Sequence, residues 1–196
     1  MYEYKPLGVF IEGVSGKLYT SNEWNSQETP NGIAVIAEKC RFVMSLLTAN
    51  GGTFMKINED ATVVPSDLTP HSEGLAKVDY GGYINTQIMK DIYGSDARYA
   101  VGACINYTFP NGQNGYLPSL GEMRAIASNF DSISNLLTVL QSHIEEGLYW
   151  TSTRHEGYGD LCGFWACEIN DASGWCTEEF YTNDPCYVIP ITSIQL

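Results

Sequence analysis

The chain has 196 residues, in which ten Lys and Arg face 23 Asp and Glu, giving a formal net charge of −13. Only 17% of residues are charged, below the quarter or so usual in soluble domains, so the acidity comes from scarce bases and excludes a nucleic-acid or anionic-membrane surface. A mean hydropathy of −0.15 excludes disorder, and no apolar run approaches the roughly 20 residues that span a bilayer.

The first residues, Met1-Tyr-Glu-Tyr-Lys-Pro6, do not read as a signal peptide. Gly8-Val-Phe-Ile11 and Lys17-Leu-Tyr-Thr20 then flank a turn-rich Glu12–Gly16 and predict a hairpin. A polar connector, Asn22 to Gly32, leads to Ile33-Ala-Val-Ile36 and to Arg41–Leu47. Both runs suit strands of a buried sheet, although periodicity alone leaves a helix open for the second. Ala49–Asp79, broken by Gly51-Gly52, Pro65 and Pro70, predicts an irregular surface wrap.

From Ile84 the period changes. Ile84, Ile88, Met89, Ile92 and Tyr93 follow helical spacing with Gly94 as a stop, and Ala97, Ala100, Val101, Cys104 and Ile105 trace a second helical face. Phe109–Gly115 predicts a tight turn, and Ser119-Leu-Gly-Glu122 is a capping-box pattern. Ile133, Leu136, Leu137, Leu140 and Ile144 predict an amphipathic helix ended by Gly147, with His143 on its polar side. Beyond it the chain returns to strand character.

That last quarter is unusual. Residues 149–196 hold seven acids and one base, Arg154, and so carry −6 of the net charge. Between 149 and 187 there is no Lys, Gln or Met, yet three of the four tryptophans and four of the six cysteines fall there. Ordinary surface composition does not produce such a segment.

Signatures of catalysis are absent: no GxSxG elbow, HExxH, Walker loop or GxGxxG occurs. Glu168, Asn170 and Asp171 suit a calcium ion by residue type, but Asn170–Gly174 equally has the make-up of a hairpin turn, and no metal or cofactor is expected. The cysteines at 40, 104, 162, 167, 176 and 186 lack paired CxxC spacing. Buried thiols are the plainest reading; disulfides and a reactive thiol remain open.

More specific is a set of short motifs in order: Tyr116-Leu-Pro-Ser119 with Glu122, then Tyr149-Trp-Thr-Ser-Thr153, then Trp165, Cys167 and Ile169 on one strand face, then Tyr187–Ile191. Over residues 80–191 this order resembles the bacterial and phage C-type-lectin-fold domains, a group that includes the variable proteins of diversity-generating retroelements. The resemblance implies an α+β, C-type lectin-like fold: two helices on a small twisted antiparallel sheet with long loops, here with an N-terminal β-rich layer. On that division residues 1–80 form the layer, integrated or assembly-related, and 81–196 the lectin-like domain. Trp150 and Trp165 are expected in the core. Two departures stand out: Ile189-Pro190 replaces the Arg that often follows the family's Tyr-Val pair, leaving strand closure open, and the calcium signature of sugar-binding animal lectins is missing. The fold name therefore carries no expectation of calcium-dependent sugar binding.

The implied function is non-enzymatic ligand or receptor binding by loops 154–186, as in a diversified phage or cell-surface adhesin. Arg154, His155, Tyr158, Asp160, Phe164, Trp175, Tyr181 and Asn183 are the candidate ligand contacts. Tyr and Asn in loops join rigid contact area to adaptable hydrogen bonding. The absence of Lys, Gln and Met fits adenine-directed variation of asparagine codons, which reaches none of them, nor Glu156 or Trp175. The expected partner is a protein or glycan receptor, neutral or basic, with no nucleic acid or membrane insertion, and the chain itself is expected on a phage particle or bacterial surface. One alternative is a structural or assembly component of a phage tail or surface appendage that oligomerises through the N-terminal region. An enzyme resembling the formylglycine-generating group is the other, for which no active-site motif is visible.

Overall fold

A computed structural model describes residues 7–157, 161–169 and 177–194, with 177–179 described through the backbone alone. The described residues form an α+β fold of five helices and two antiparallel sheets. The first sheet begins as the sequence predicts. β1 (Gly8–Gly13) and β2 (Leu18–Tyr19) make a hairpin, and β1 also pairs with β3 (Pro30–Ile36). β3 turns back into β4 (Arg41–Met44), which settles the second apolar run as a strand.

The next partner comes from the far end of the chain. β8 (Ile191–Ser193) pairs antiparallel with β4, with Val43 opposite Thr192, and completes the order β2-β1-β3-β4-β8. Residues 1–80 and 81–196 thus share one sheet. Ile189 and Pro190 do not prevent closure: Tyr116 and Ile191 exchange two backbone hydrogen bonds, and the Ser45 amide donates to the Pro190 carbonyl at 3.0 Å.

Five helices lie between these strands: α1 (Glu73–Ala76), α2 (Gly82–Tyr93), α3 (Ala100–Asn106), α4 (Leu120–Ala127) and α5 (Phe130–Val139). α2 stops where expected, at Gly94, whose φ of 78° favours a residue without Cβ. α5 ends earlier than its apolar pattern predicts, before Gly147. Gln141 adopts a φ of 55°, its amide donates to the Thr138 carbonyl and the Ser142 amide to the Leu137 carbonyl, which is a Schellman closure. His143 therefore lies beyond the helix, although it is exposed as expected.

The second sheet is β5 (Gly147–Arg154), β6 (Gly163–Ile169) and β7 (Thr177–Tyr181), in that order and antiparallel. Pleating sends alternate β6 side chains to opposite faces. Trp165, Cys167 and Ile169 enter a core shared with α4, α5 and the first sheet. Phe164 and Ala166 enter a second core with Trp150, α2, α3 and residues of the irregular segment, Met55, Ile57 and Leu68. Trp150 and Trp165 are buried, at 0% and 3% exposure.

The Tyr116–Ser119 and Tyr149–Thr153 motifs meet in space. Between Trp150 and Arg154 the register of β5 against β6 shifts, and the intervening Thr-Ser-Thr turns toward the start of α4. The Ser152 amide donates to the Pro118 carbonyl at 2.8 Å. Thr153 Oγ1 accepts from the Leu120 amide at 2.8 Å, one of the donors a helix start leaves over, and donates to Asp79 Oδ2 at 2.6 Å. The capping box forms as the sequence predicts, with Glu122 Oε2 accepting from the Ser119 amide at 2.8 Å. Tyr116 donates to the other carboxylate oxygen at 3.1 Å. Gly82 lies so close that a Cβ there would stand 2.1 Å from that carboxylate. Desolvation pushes the Glu122 carboxyl up to about 7, against the hydrogen bonds from Ser119 and Tyr116 that favour its charged form.

Candidate functional site

β5 ends at Arg154, opposite Phe164 near the start of β6, and Tyr181 at the end of β7 pairs with Gly163. One end of the small sheet therefore gathers Arg154, the residues that follow it and the turn after Tyr181. The irregular segment joins them by backbone hydrogen bonds. The His71 amide donates to the Arg154 carbonyl, the Cys162 amide to the Ala61 carbonyl, and the Ile57 and Asn58 amides to the Thr182 carbonyl, at 2.6 to 2.9 Å. Three segments distant in sequence so form one rim.

Within the rim the candidate residues differ in what they can offer a ligand. Arg154 is half-buried, and its Nη1 donates to the carbonyls of Leu68 at 3.0 Å and Pro65 at 3.3 Å. It braces the irregular segment. His155 sets its ring edge-on to Trp165 at 4.8 Å between centroids, while Trp165 Nε1 donates to the His71 carbonyl at 3.1 Å. Tyr181 is half-buried. Its amide donates to Asp184 Oδ2 at 2.9 Å, and the Asp184 amide returns a bond to its carbonyl, which makes the turn that holds Asn183 exposed at its tip.

Phe164 does not belong with these. It is fully buried in the second core, edge-on to Tyr93 at 6.4 Å, because the β6 pleat turns it away from solvent. Tyr158, Asp160 and Trp175 lie outside the described residues, as does the Asn170–Gly174 turn. The strand residues flanking Trp175, Ile169 and Thr177, stand at the opposite end of the sheet from Arg154 and Tyr181.

Asp60, Thr62 and His71 join the rim without any sequence signal. They sit in the irregular segment, where only long-range backbone pairing brings them in. With Asp60 and Glu156 exposed and Asp184 half-buried beside them, the rim is acidic. Among the described residues no cluster of three His, Cys, Asp or Glu is placed to hold a metal ion.

Cys40, Cys104, Cys162, Cys167 and Cys186 are free and buried. Cys162 lies just behind the rim with Tyr93 Oη 3.7 Å away, and burial pushes its thiol up against the lowering influence of Tyr93 and Arg154. A reactive cysteine has the reverse environment, exposed and with a lowered pKa.

No family model, curated protein or solved structure matches the chain.

Proposed function

We propose that the chain is a non-enzymatic binding protein of C-type lectin-like fold that presents the Arg154–Tyr181 rim to a protein or glycan receptor, as an adhesin of a phage particle or cell surface does. The observation that carries this reading is the convergence of three segments at one sheet end. Their backbones are pinned to each other, while Glu156, Asn183, Asp60 and Thr62 are exposed. A pinned backbone under polar, adaptable side chains lowers the ordering cost of binding. The contact of the Leu-Pro-Ser and Trp-Thr-Ser-Thr motifs supports the lectin-like part of the reading. Burial of the Cys162 thiol favours binding over cysteine chemistry.

Acidity at the rim selects a neutral or basic partner. The full chain, applied to a glycan array and to immobilised bacterial cells, should be retained by at least one surface. Replacing Tyr181 and Asn183 together by Ala should abolish that retention while the melting temperature stays within about 3 °C. Retention that survives the double substitution unchanged places the face elsewhere. A near-copy of the 149–191 coding segment beside a reverse-transcriptase gene is the expected mark of diversification.

A further inference from the structure

A cavity of about 380 Å³ opens between α2, the end of α3 and the residues just before Tyr116, within the roughly 300–1,000 Å³ of small-molecule sites. Tyr83, Gln87, Lys90, Ser95, Asn106 and Asn114 line it, and among the described residues none of its walls is acidic. In a chain of net charge −13 that is an uncommon surface. Most ligand pockets are largely apolar, whereas this one brings together three carboxamides, two hydroxyls and one ammonium group.

Its walls are fixed by bonds that leave those groups over. The Leu117 amide donates to Thr86 Oγ1 at 3.0 Å, which holds α2 against the chain beyond the cavity. The Gly115 amide donates to the Tyr107 carbonyl at 2.9 Å and ties the opposite wall to the end of α3. Asn106 Nδ2 donates to the Ser95 carbonyl at 2.8 Å, which closes a third side and leaves its Oδ1 to accept. Tyr83 packs edge-on to the buried Tyr116, 5.8 Å between ring centroids, so its ring has a set position. Among the described residues the Gln87 and Asn114 carboxamides make no hydrogen bond and the Lys90 ammonium no ion pair. Asp96 is committed to Arg98 at 2.7 Å, and Asp91 follows Lys90 on α2 without lining the cavity. A carboxamide carries a donor and an acceptor side by side, which matches the paired hydroxyls of a sugar, and the C–H face of a sugar ring lies against an aromatic ring. One ammonium group balances one carboxylate, whereas a phosphate dianion needs more than this single cation.

We infer that this cavity binds a sugar that carries a carboxylate, a hexuronic acid, with Lys90 pairing with the carboxylate, Gln87 and Asn114 with the hydroxyls, and Tyr83 with the ring face. The site shares no residue with the recognition rim and does not rest on the function proposed for that rim.

Calorimetric titration of the full chain at low salt with glucuronate, glucose and acetate tests the assignment. Glucuronate should saturate the chain below about 10 mM, and acetate should not. Glucose should bind roughly tenfold or more weakly than glucuronate, the loss typical of a charged hydrogen bond. Lys90→Gln, made at an exposed position, should bring glucuronate down to the affinity of glucose with the fold intact. Gln87→Ala should weaken both sugars several-fold. The Tyr181→Ala, Asn183→Ala double variant should bind glucuronate as the wild type does, so a failure of the rim and a failure of this site are read separately. No saturation by glucuronate below about 10 mM overturns the inference, as does equal affinity for glucose or acetate. Wild-type glucuronate affinity in the folded Lys90 or Gln87 variant also overturns it, and so does loss of glucuronate binding in the rim variant.

Discussion

The two cores on either side of β5 and β6 are built differently. On one side α4, α5 and the five-stranded sheet supply regular, periodic apolar faces. The other side takes part of its cover from chain without regular structure, Met55, Ile57 and Leu68, of which Met55 and Ile57 are held by main-chain hydrogen bonds to residues 186 and 182. The contrast separates two ways of excluding water. A helix satisfies its own backbone and needs only a stripe of side chains, whereas an irregular cover must find a partner for each buried amide elsewhere in the chain.

Trp150 is where the second arrangement is most exposed to failure. Its ring is fully buried and its Nε1 donates to the Met55 carbonyl at 2.8 Å, so it holds both the core and its cover. Trp150→Ala should cost about 3–5 kcal/mol in urea unfolding. It should also raise hydrogen exchange across residues 53–58 more than across α5. A loss under about 1 kcal/mol with uniform exchange would remove the distinction between the two cores.

The regular side has a weakness of another kind, a buried carboxyl. Glu122 is raised in the folded chain from 4.5 to about 7, so the native state holds its proton more tightly than the unfolded state does. Its contribution therefore favours folding at low pH, declines as pH rises from 4.5 to about 7, and stays unfavourable above that. Glu122→Gln keeps a residue suited to the capping box and removes the titration. It should flatten this decline, a change of about 3 kcal/mol between the two limits, read from urea midpoints across pH. An unaltered pH profile would mean that the carboxyl is not held as described.

The smallest effect lies at the end of α5. Gln141 occupies a left-handed position that glycine adopts without strain. Gln141→Gly should stabilise the chain by up to about 1 kcal/mol, seen as a rise of a few degrees in melting temperature. A fall would show that the Gln141 side chain contributes more than its backbone costs.

The same contrast explains what could be read from the sequence. α2 and α4 announce themselves because apolar spacing, Gly94 and the Ser119–Glu122 box are local signals, whereas the apolar run that became β4 left a helix open until its pairing with β3 decided it. The early end of α5 was hidden because Gln141 stands where glycine normally marks the stop. The burial of Trp150 and Trp165 was expected from the resemblance their motifs carry, but the burial of Phe164 required knowing that both faces of β6 are covered. The rim was half legible. Arg154, His155, Tyr181 and Asn183 share a segment of distinctive composition, whereas Asp60, Thr62 and His71 reach it through backbone pairings that leave no trace in residue type.

The pairing of β8 with β4 has a consequence for the order of synthesis. During translation Phe42, Val43 and Met44 lie on an open strand edge, ready to pair with another nascent chain, until Ile191–Ser193 leave the ribosome. The second core and the rim lie wholly between the two strands in sequence. A chain whose middle stays unfolded must close this pairing against the entropy of a loop of about 150 residues, so the order of the intervening fold favours completion of the sheet.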